Sequence, residues 1–520
     1  MQNALQGNAY VFTRPSHFAH TYHPPRAPFP TPPPPHHHPF PTSLPVPCGR
    51  TSASCQYAIR DVGGLEVLVN LLETDHTKCK IGALQILRDA SLGVHVRKAM
   101  ADQDAMQPLV RALRSETDPA LRALAAETIA HCARLGRNRR MVAAYGGLES
   151  AVGLLDQGAG PGGEDVARGA ALALWECCKS SEAKEQLLAS RDLIPRLSHL
   201  LATSDNAPLL VAVVGIVEEC ATLRRYRDAF REAGMVPKLV EHLRHNDKDL
   251  QAYCATALFH CAEDPATRRI VREQDGLAPL VAMLANVGMP GLLAGATGAI
   301  WKCALDPEAK AVLTAAKAIE GLVGLLAKQP EAVITNVAGA ISALGDSPES
   351  RKAVRGSGGL THLVGLLSGT NDALLINVCN AIGCCAQDKE SMAILASDGV
   401  RLLWSLLRSP NTKVVSAAGW AICPCIKNAA EAGNLVRSFV GGLELVVGLL
   451  ESDTIEVVAS VCAAVAEIAK DQENLAVITD HGAAAMVNSS PPSPPLPPPS
   501  FPNRHCCAHP CSSPTLALPP

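Results

Sequence analysis

Residues Gly63–Leu72 read GGLEVLVNLL, and residues Gly441–Leu450 read GGLELVVGLL. Both are a glycine pair followed by apolar residues at the spacing of one face of a short helix. The phrase, glycine, apolar, two variable residues, leucine, apolar, recurs along most of the chain. Its apolar anchors are Leu65, Met106, Leu148, Ile194, Val236, Leu277, Ile319, Leu360, Val400 and Leu443, and Gly directly precedes six of the ten. Successive anchors stand 40 to 43 residues apart, except for 46 between Leu148 and Ile194, where GAGPGGED (Gly158–Asp165) reads as an inserted surface loop.

A period in the low forties built from short apolar helices points to armadillo or HEAT units, since a tetratricopeptide repeats every 34 or so residues. Each unit divides in three: a short first helix such as ENLAVITDHG (Glu473–Gly482), a glycine that permits a sharp bend, a second helix such as GGLELVVGLL, and a longer alanine-rich third helix such as VVASVCAAVAEIA (Val457–Ala469). That division selects the armadillo class. The fold expected is all-α: an armadillo-repeat, right-handed superhelical solenoid of about ten repeats, each stabilised by its neighbours because none can bury its apolar face alone.

Composition agrees. The 520 residues exceed what one core usually holds, and hydrophobic residues make up 48% of the chain with aromatics only 3%, which suits stacked Ala/Leu/Val helices better than sheets. Lys and Arg total 46 against 49 Asp and Glu, so no net field favours nucleic acid as a partner. The longest apolar run, Leu209–Val217, ends at Glu218 and is far too short to span a bilayer. The opening MQNALQGNAY has neither the basic nor the apolar region of a secretion signal, so a cytoplasmic chain with reduced thiols is expected.

The ends are a different material. Residues 1–54 contain HPPRAPFPTPPPPHHHPFP and residues 483–520 contain SSPPSPPLPPPSFP, compositions of solvated polyproline segments, leaving 55–482 as the solenoid. Gly482 and Ala483 fall where an eleventh anchor is due, yet no second helix follows, which reads as an altered or truncated repeat.

Nineteen cysteines invite a metal-site reading, but Cys132, Cys177, Cys220, Cys261, Cys303, Cys385 and Cys425 all sit at one place in the third helix, a repeat apart. A small apolar residue belongs there, so a buried ladder is expected, with no metal and no cofactor. His505–Cys511 and His36–His38 carry ligand-type residues in unstructured surroundings. Gly158, Gly160 and Gly163 satisfy G-x-G-x-x-G, but Pro161 interrupts them and no strand precedes. No phosphate loop, metalloprotease helix or nucleophile elbow is present, and the chain reads as non-enzymatic. A basic column nine residues before the anchor, Arg97, Arg139, Arg227, Arg268, Lys310 and Arg351, suits acidic partners such as tubulin tails, or is simply a solvated face.

Receptors of the importin-alpha kind hold extended peptides with Asn from successive third helices. Here the matching positions are Asp89, His131, Glu176, Glu219, His260, Lys302, Ala343, Cys384, Pro424 and Glu467; none is Asn, and only Trp420 matches the partnering Trp. The mixed charges also lack the sustained basic surface of a beta-catenin-like groove. Glu176, Glu219, His260 and Lys302 are candidate exposed positions for protein binding, whereas Trp420 reads as core.

The stretch GVRLLWSLLRSPNTKVVSAAGWAICPCIKNAAEAGNLVRSFVGGLELVVGLL (Gly399–Leu450), followed by VASVCAAVAEIAKDQENLAVITDHG (Val458–Gly482), resembles the armadillo-repeat subunits of the outer dynein arm docking complex. GAIWKCALDPE (Gly298–Glu308) and KAIEGLVGLL (Lys317–Leu326) agree with it, and the likeness covers about residues 55–482. It implies a scaffold in the ciliary or flagellar axoneme. Its implied partners are coiled-coil docking-complex subunits and outer arm dynein near doublet microtubules, and its role is supporting cilium movement. That family carries a longer N-terminal region and further C-terminal repeats. The repeats alone imply only a general cytoplasmic adaptor for signalling or trafficking partners. A ubiquitin-ligase substrate arm needs a recruiting domain that neither proline-rich flank supplies.

Overall fold

A computed structural model describes residues 63–158 and 162–482. The proline-rich flanks, the histidine and cysteine clusters within them and Gly160 lie outside these residues. Every regular element described is a helix. The chain divides at Leu280 and Val281 into two compact units. In the first, the third helices are Thr77–Ala90, Pro119–Cys132, Gly163–Cys177, Ala207–Ala221 and Lys248–Cys261. In the second they are Pro290–Cys303, Glu331–Leu344, Asp372–Cys385, Thr412–Asn428 and Ile455–Ile468. Within each unit successive third helices pack side by side, most of them braced by the second helix of their own repeat.

Local chemistry sets the boundaries. Asp118, Asn206, Asp247, Asn371 and Asn411 accept backbone N–H groups at the starts of third helices, and Asp264, Asp306, Ser347 and Asp471 do so for first helices. Proline follows at the first turn of several, where its missing N–H costs nothing. The apolar run Leu209–Val217 is the fully buried middle of a third helix, as an all-round apolar helix in a core should be.

One sequence expectation is corrected. Nine of the anchors are buried, but Ile194 is half-exposed while Leu193 is 1% exposed, so the fourth anchor is Leu193 and its register moves by one. The sharp bend that the sequence assigns to a glycine is made two residues before the anchor. Gly63, Gly146, Gly234, Gly358 and Gly441 have φ of +68 to +76° there, and Asp104, Arg191, Asp275 and Lys317 take the same left-handed conformation in other repeats. The glycine adjoining the anchor serves close approach. A Cβ on Gly147 would lie 2.7 Å from Val142, and one on Gly359 would lie 2.7 Å from Val323.

The ninth repeat departs from the pattern. Its first segment is a 3-10 turn (Lys389–Ser391), one α turn (Met392–Ile394) and a π turn (Leu395–Gly399) that runs straight into the second helix Val400–Leu406. Gly399 has φ −60°, so this repeat has no left-handed residue at its bend.

Candidate protein-docking face

The last turns of the third helices carry nearly every residue that the sequence singles out, and the structure sorts them by depth. Cys132, Cys177, Cys220, Cys261, Cys303, Cys385 and Cys425 are all buried and unpaired by disulfides. Burial pushes the Cys132, Cys177 and Cys261 thiols up to about 12, which keeps them protonated and unreactive. Cys132 donates to the Met100 sulfur at 3.5 Å, a contact between soft core atoms.

Four members of the basic column are spent on carbonyls of the chain itself. The Arg97 guanidinium donates to the carbonyls of Ser91 and Leu92 at 3.0 and 2.9 Å. Arg139 does the same to Ala133 and Arg134, Arg227 to Ala221 and Thr222, and Arg351 to Gly345 and Asp346. Each arginine stands on a first helix and caps the C-terminal carbonyls of the third helix before it, where cations are favoured by the exposed carbonyl dipoles. The corrected anchor adds Lys184, whose Nζ donates to Thr222 at 3.1 Å and lies 3.6 Å from Glu219. Lys310 pairs with Asp346, and Arg268 is half-exposed.

The four candidate binding residues separate into two kinds. Glu176 is 5% exposed with Lys179 Nζ 2.9 Å from its carboxylate, and Lys302 is 8% exposed with its ammonium 4.5 Å over the Trp301 ring. Both belong to the packed layer, contrary to the exposed positions expected. Glu219 and His260 are half-exposed, as is Trp420. His131, at the equivalent place in the second repeat, meets the Arg88 carbonyl at 3.0 Å through Nδ1. Burial pushes it down to about 4, so a neutral ring donates there.

Sequence reasoning missed a cluster on the first unit. Trp175 lies on Gly215 of the next third helix, where an added Cβ would be 2.3 Å from the ring, and through that gap it meets Tyr253, two repeats on, edge to face at 5.0 Å. Glu218, half-exposed and three residues past Gly215 on the same helix, acts electrostatically on Tyr253. Burial, reinforced by the Glu219 charge, pushes its carboxyl up to about 8 against the pull of Lys179 and Lys184. In the second unit Trp301 repeats the arrangement on Gly339, with 2.5 Å to an added Cβ. The signal available was a tryptophan one residue before the Asn-equivalent position, answered by glycine a repeat later.

Among the described residues no three His, Cys, Asp or Glu side chains are grouped to hold a metal ion, and no helix is long and apolar enough to cross a membrane. The third-helix layer carries aromatic rings, carboxyls and ammonium groups, of which Trp175, Glu176 and Lys302 are buried and Glu218, Glu219, Tyr253 and His260 half-exposed.

Stacked three-helix units with these caps define an armadillo-repeat protein. The chain is 49% identical over 450 residues to the bovine outer dynein arm-docking complex subunit 2, and 49% identical to the mouse protein of that name. It is 43% identical over 441 residues to the Drosophila armadillo repeat-containing protein gudu. It belongs to the armadillo-repeat family that contains these relatives. They match 84%, 84% and 82% of the chain, which in turn spans 42%, 43% and 66% of their lengths. No family model matches. Among solved structures, an engineered protein superposes with a TM-score of 0.65 at 26% identity, covering 78% of this chain and 98% of its own. A structure from work on the cadherin and beta-catenin interaction gives 0.66 at 15% identity over 81% and 85%, a likeness of fold alone.

Proposed function

We propose that this chain is a non-enzymatic scaffold that helps dock outer dynein arms on ciliary doublet microtubules and so supports cilium movement. The observation that carries the reading is 49% identity over 450 residues, 84% of this chain, to a docking-complex subunit. The stacked repeats support the reading, since a solenoid of this kind offers a long continuous surface that suits large partners. The partners are docking-complex subunits, coiled-coil proteins among them, and outer arm dynein, with the cytoplasm and the axoneme of the cilium or flagellum as its locations. Residues 55–482 form the scaffold, flanked by proline-rich segments at 1–54 and 483–520. Glu219 and His260, half-exposed on the third-helix face, remain the contact candidates.

The test is localisation of the tagged protein in motile ciliated cells, with electron microscopy of axonemes after its removal. Axonemal signal and missing outer arms are expected. Diffuse cytoplasmic signal with intact arms would overturn the docking reading and leave a general armadillo adaptor.

A further inference from the structure

The column of capping arginines has a gap between the ninth and tenth repeats. Elsewhere the arginine stands seven residues past the cysteine-ladder position and donates to the first two carbonyls beyond that position. Arg139 meets Ala133 and Arg134 at 2.9 and 3.4 Å, Arg227 meets Ala221 and Thr222 at 2.9 and 3.2 Å, and Arg351 meets Gly345 and Asp346 at 3.2 and 3.0 Å. Seven residues past Cys425 stands Ala432, followed by Gly433, and the two carbonyls are those of Ile426 and Lys427. The Ile426 carbonyl is met by the Ala429 N–H at 3.3 Å. Arg437, on the same first helix as Ala432, is spent on Asp471 and Asn434, each at 2.7 Å. The residues that would flank a column arginine here line a cavity of about 280 Å³ instead: Ile426, Lys427, Ala432 and Gly433, with Glu467 and Asp471 from the repeat beyond.

That volume is below the ~300–1,000 Å³ of clefts that hold small-molecule ligands, so a single long side chain suits it better than a cofactor. The carboxyls are already matched, Glu467 by Lys470 at 2.6 Å and Asp471 by Arg437 at 2.7 Å. What the cavity can satisfy is therefore the pair of carbonyls at a helix C-terminus, which favour a cationic donor. Lys427 is exposed at the rim, but it holds the place of Arg134, whose own carbonyl accepts from Arg139, so a neighbouring cation does not exclude a guanidinium. Lysine behaves differently in this column: Lys184 and Lys310 reach the side chains of Thr222 and Asp346. An anion would meet Glu467 and Asp471. Resting on the scaffold reading, we propose that this cavity takes an arginine side chain of a partner protein, which caps the third helix Thr412–Asn428 as the column arginines cap other third helices.

The test uses the full chain and a fluorescein-labelled, alanine-based helical peptide with arginines along one face, beside counterparts carrying lysine and citrulline, the latter a neutral mimic of arginine in shape. The arginine peptide is expected to bind, and the other two to bind at least about fivefold more weakly. Ala432→Arg supplies the cap from within, so it should raise the melting temperature by about 1–2 °C and weaken arginine-peptide binding about fivefold or more. Ala432→Leu, which fills the space without adding charge, should weaken it as well, and Glu232→Gln, on an exposed first-helix position of the first unit, should leave it unchanged. Binding that survives Ala432→Arg in a chain that still melts cooperatively overturns the proposal. So does equal binding of the citrulline peptide, or none to the wild type. Binding that emerges only after Arg504→Gln, which removes the one Lys or Arg beyond Gly482, would make the chain's own tail the occupant and overturn the partner reading. Peptide binding to purified protein is scored apart from axonemal localisation, so its failure sinks the arginine seat alone, whereas absence from axonemes sinks docking alone.

Discussion

At the residue scale, two glycines decide how the aromatic side chains sit. Replacing a helical Gly by Ala normally stabilises by up to about 1 kcal/mol, because the backbone of Gly has more freedom to lose. At Gly215 the new methyl would enter the Trp175 ring at 2.3 Å, a clash that overpacking costs put at about 1–3 kcal/mol. Gly215→Ala is therefore expected to lower the melting temperature, whereas Gly153→Ala, whose Cβ meets nothing within 4 Å, should raise it slightly. Equal shifts of the same sign would show that the ring does not rest on Gly215. The sequence made the anchors legible because their spacing repeats, but it placed the fourth at Ile194. Leu193 and Ile194 are both apolar, and only burial tells them apart. The same slip hid Lys184 from the basic column. The packing of Trp175 on Gly215 was missed for another reason: the tryptophan and the glycine that answers it stand a repeat apart, so the signal lies in the pair and in neither segment alone.

At the element scale, the first helices act as clasps. Besides capping the preceding third helix, they join one another. Arg231 reaches the N-cap Asp264, Arg355 reaches Asp388 at 2.6 Å, and Arg437 reaches Asp471 at 2.7 Å. The basic column was read from sequence as a surface because charge usually means solvent; that its carbonyl partners come six and five residues earlier was not visible without the turn between the helices. Arg139→Met should lose the bonds to Ala133 and Arg134 while keeping the stem's packing, costing about 1–2 kcal/mol. Because the acceptors are carbonyls, the loss should persist in high salt, whereas a column serving only surface ion pairs would lose its effect there. Asp388 gives a pH test. Burial alone would raise its carboxyl, but hydrogen bonds and charge from Arg351 and Arg355 outweigh that and hold it below the usual range. Its contribution is thus present above the ordinary aspartate value and lost as pH falls through the depressed one. Asp388→Asn should destabilise the protein near neutral pH by about 1–2 kcal/mol, with some discount for partial solvent screening. The difference from wild type should shrink in acid, and a pH-independent difference would refute the ionic role.

At the scale of the whole molecule, a repeat array should not lose its structure all at once. Helix contacts join the same or adjacent repeats, apart from reaches such as Trp175 to Tyr253 across Gly215, so stability is a sum over neighbours more than a property of one core. The ninth repeat, with its 3-10, α and π turns in place of a regular first helix, is the element where the ladder of backbone bonds is least regular. Gly339→Ala, which drives a methyl to 2.5 Å from the Trp301 ring in the second unit, should therefore act locally. Hydrogen exchange followed by peptide mass is expected to show faster exchange in the third helices Pro290–Cys303, Glu331–Leu344 and Asp372–Cys385, with that of Pro119–Cys132 and Gly163–Cys177 unchanged. Uniform acceleration along the chain would mean that the two units open together as a single cooperative body, and nearest-neighbour stability would have to be abandoned. If the effect stays local, substitutions around Trp175 can be interpreted within the first unit alone, because damage in one unit does not propagate to the other.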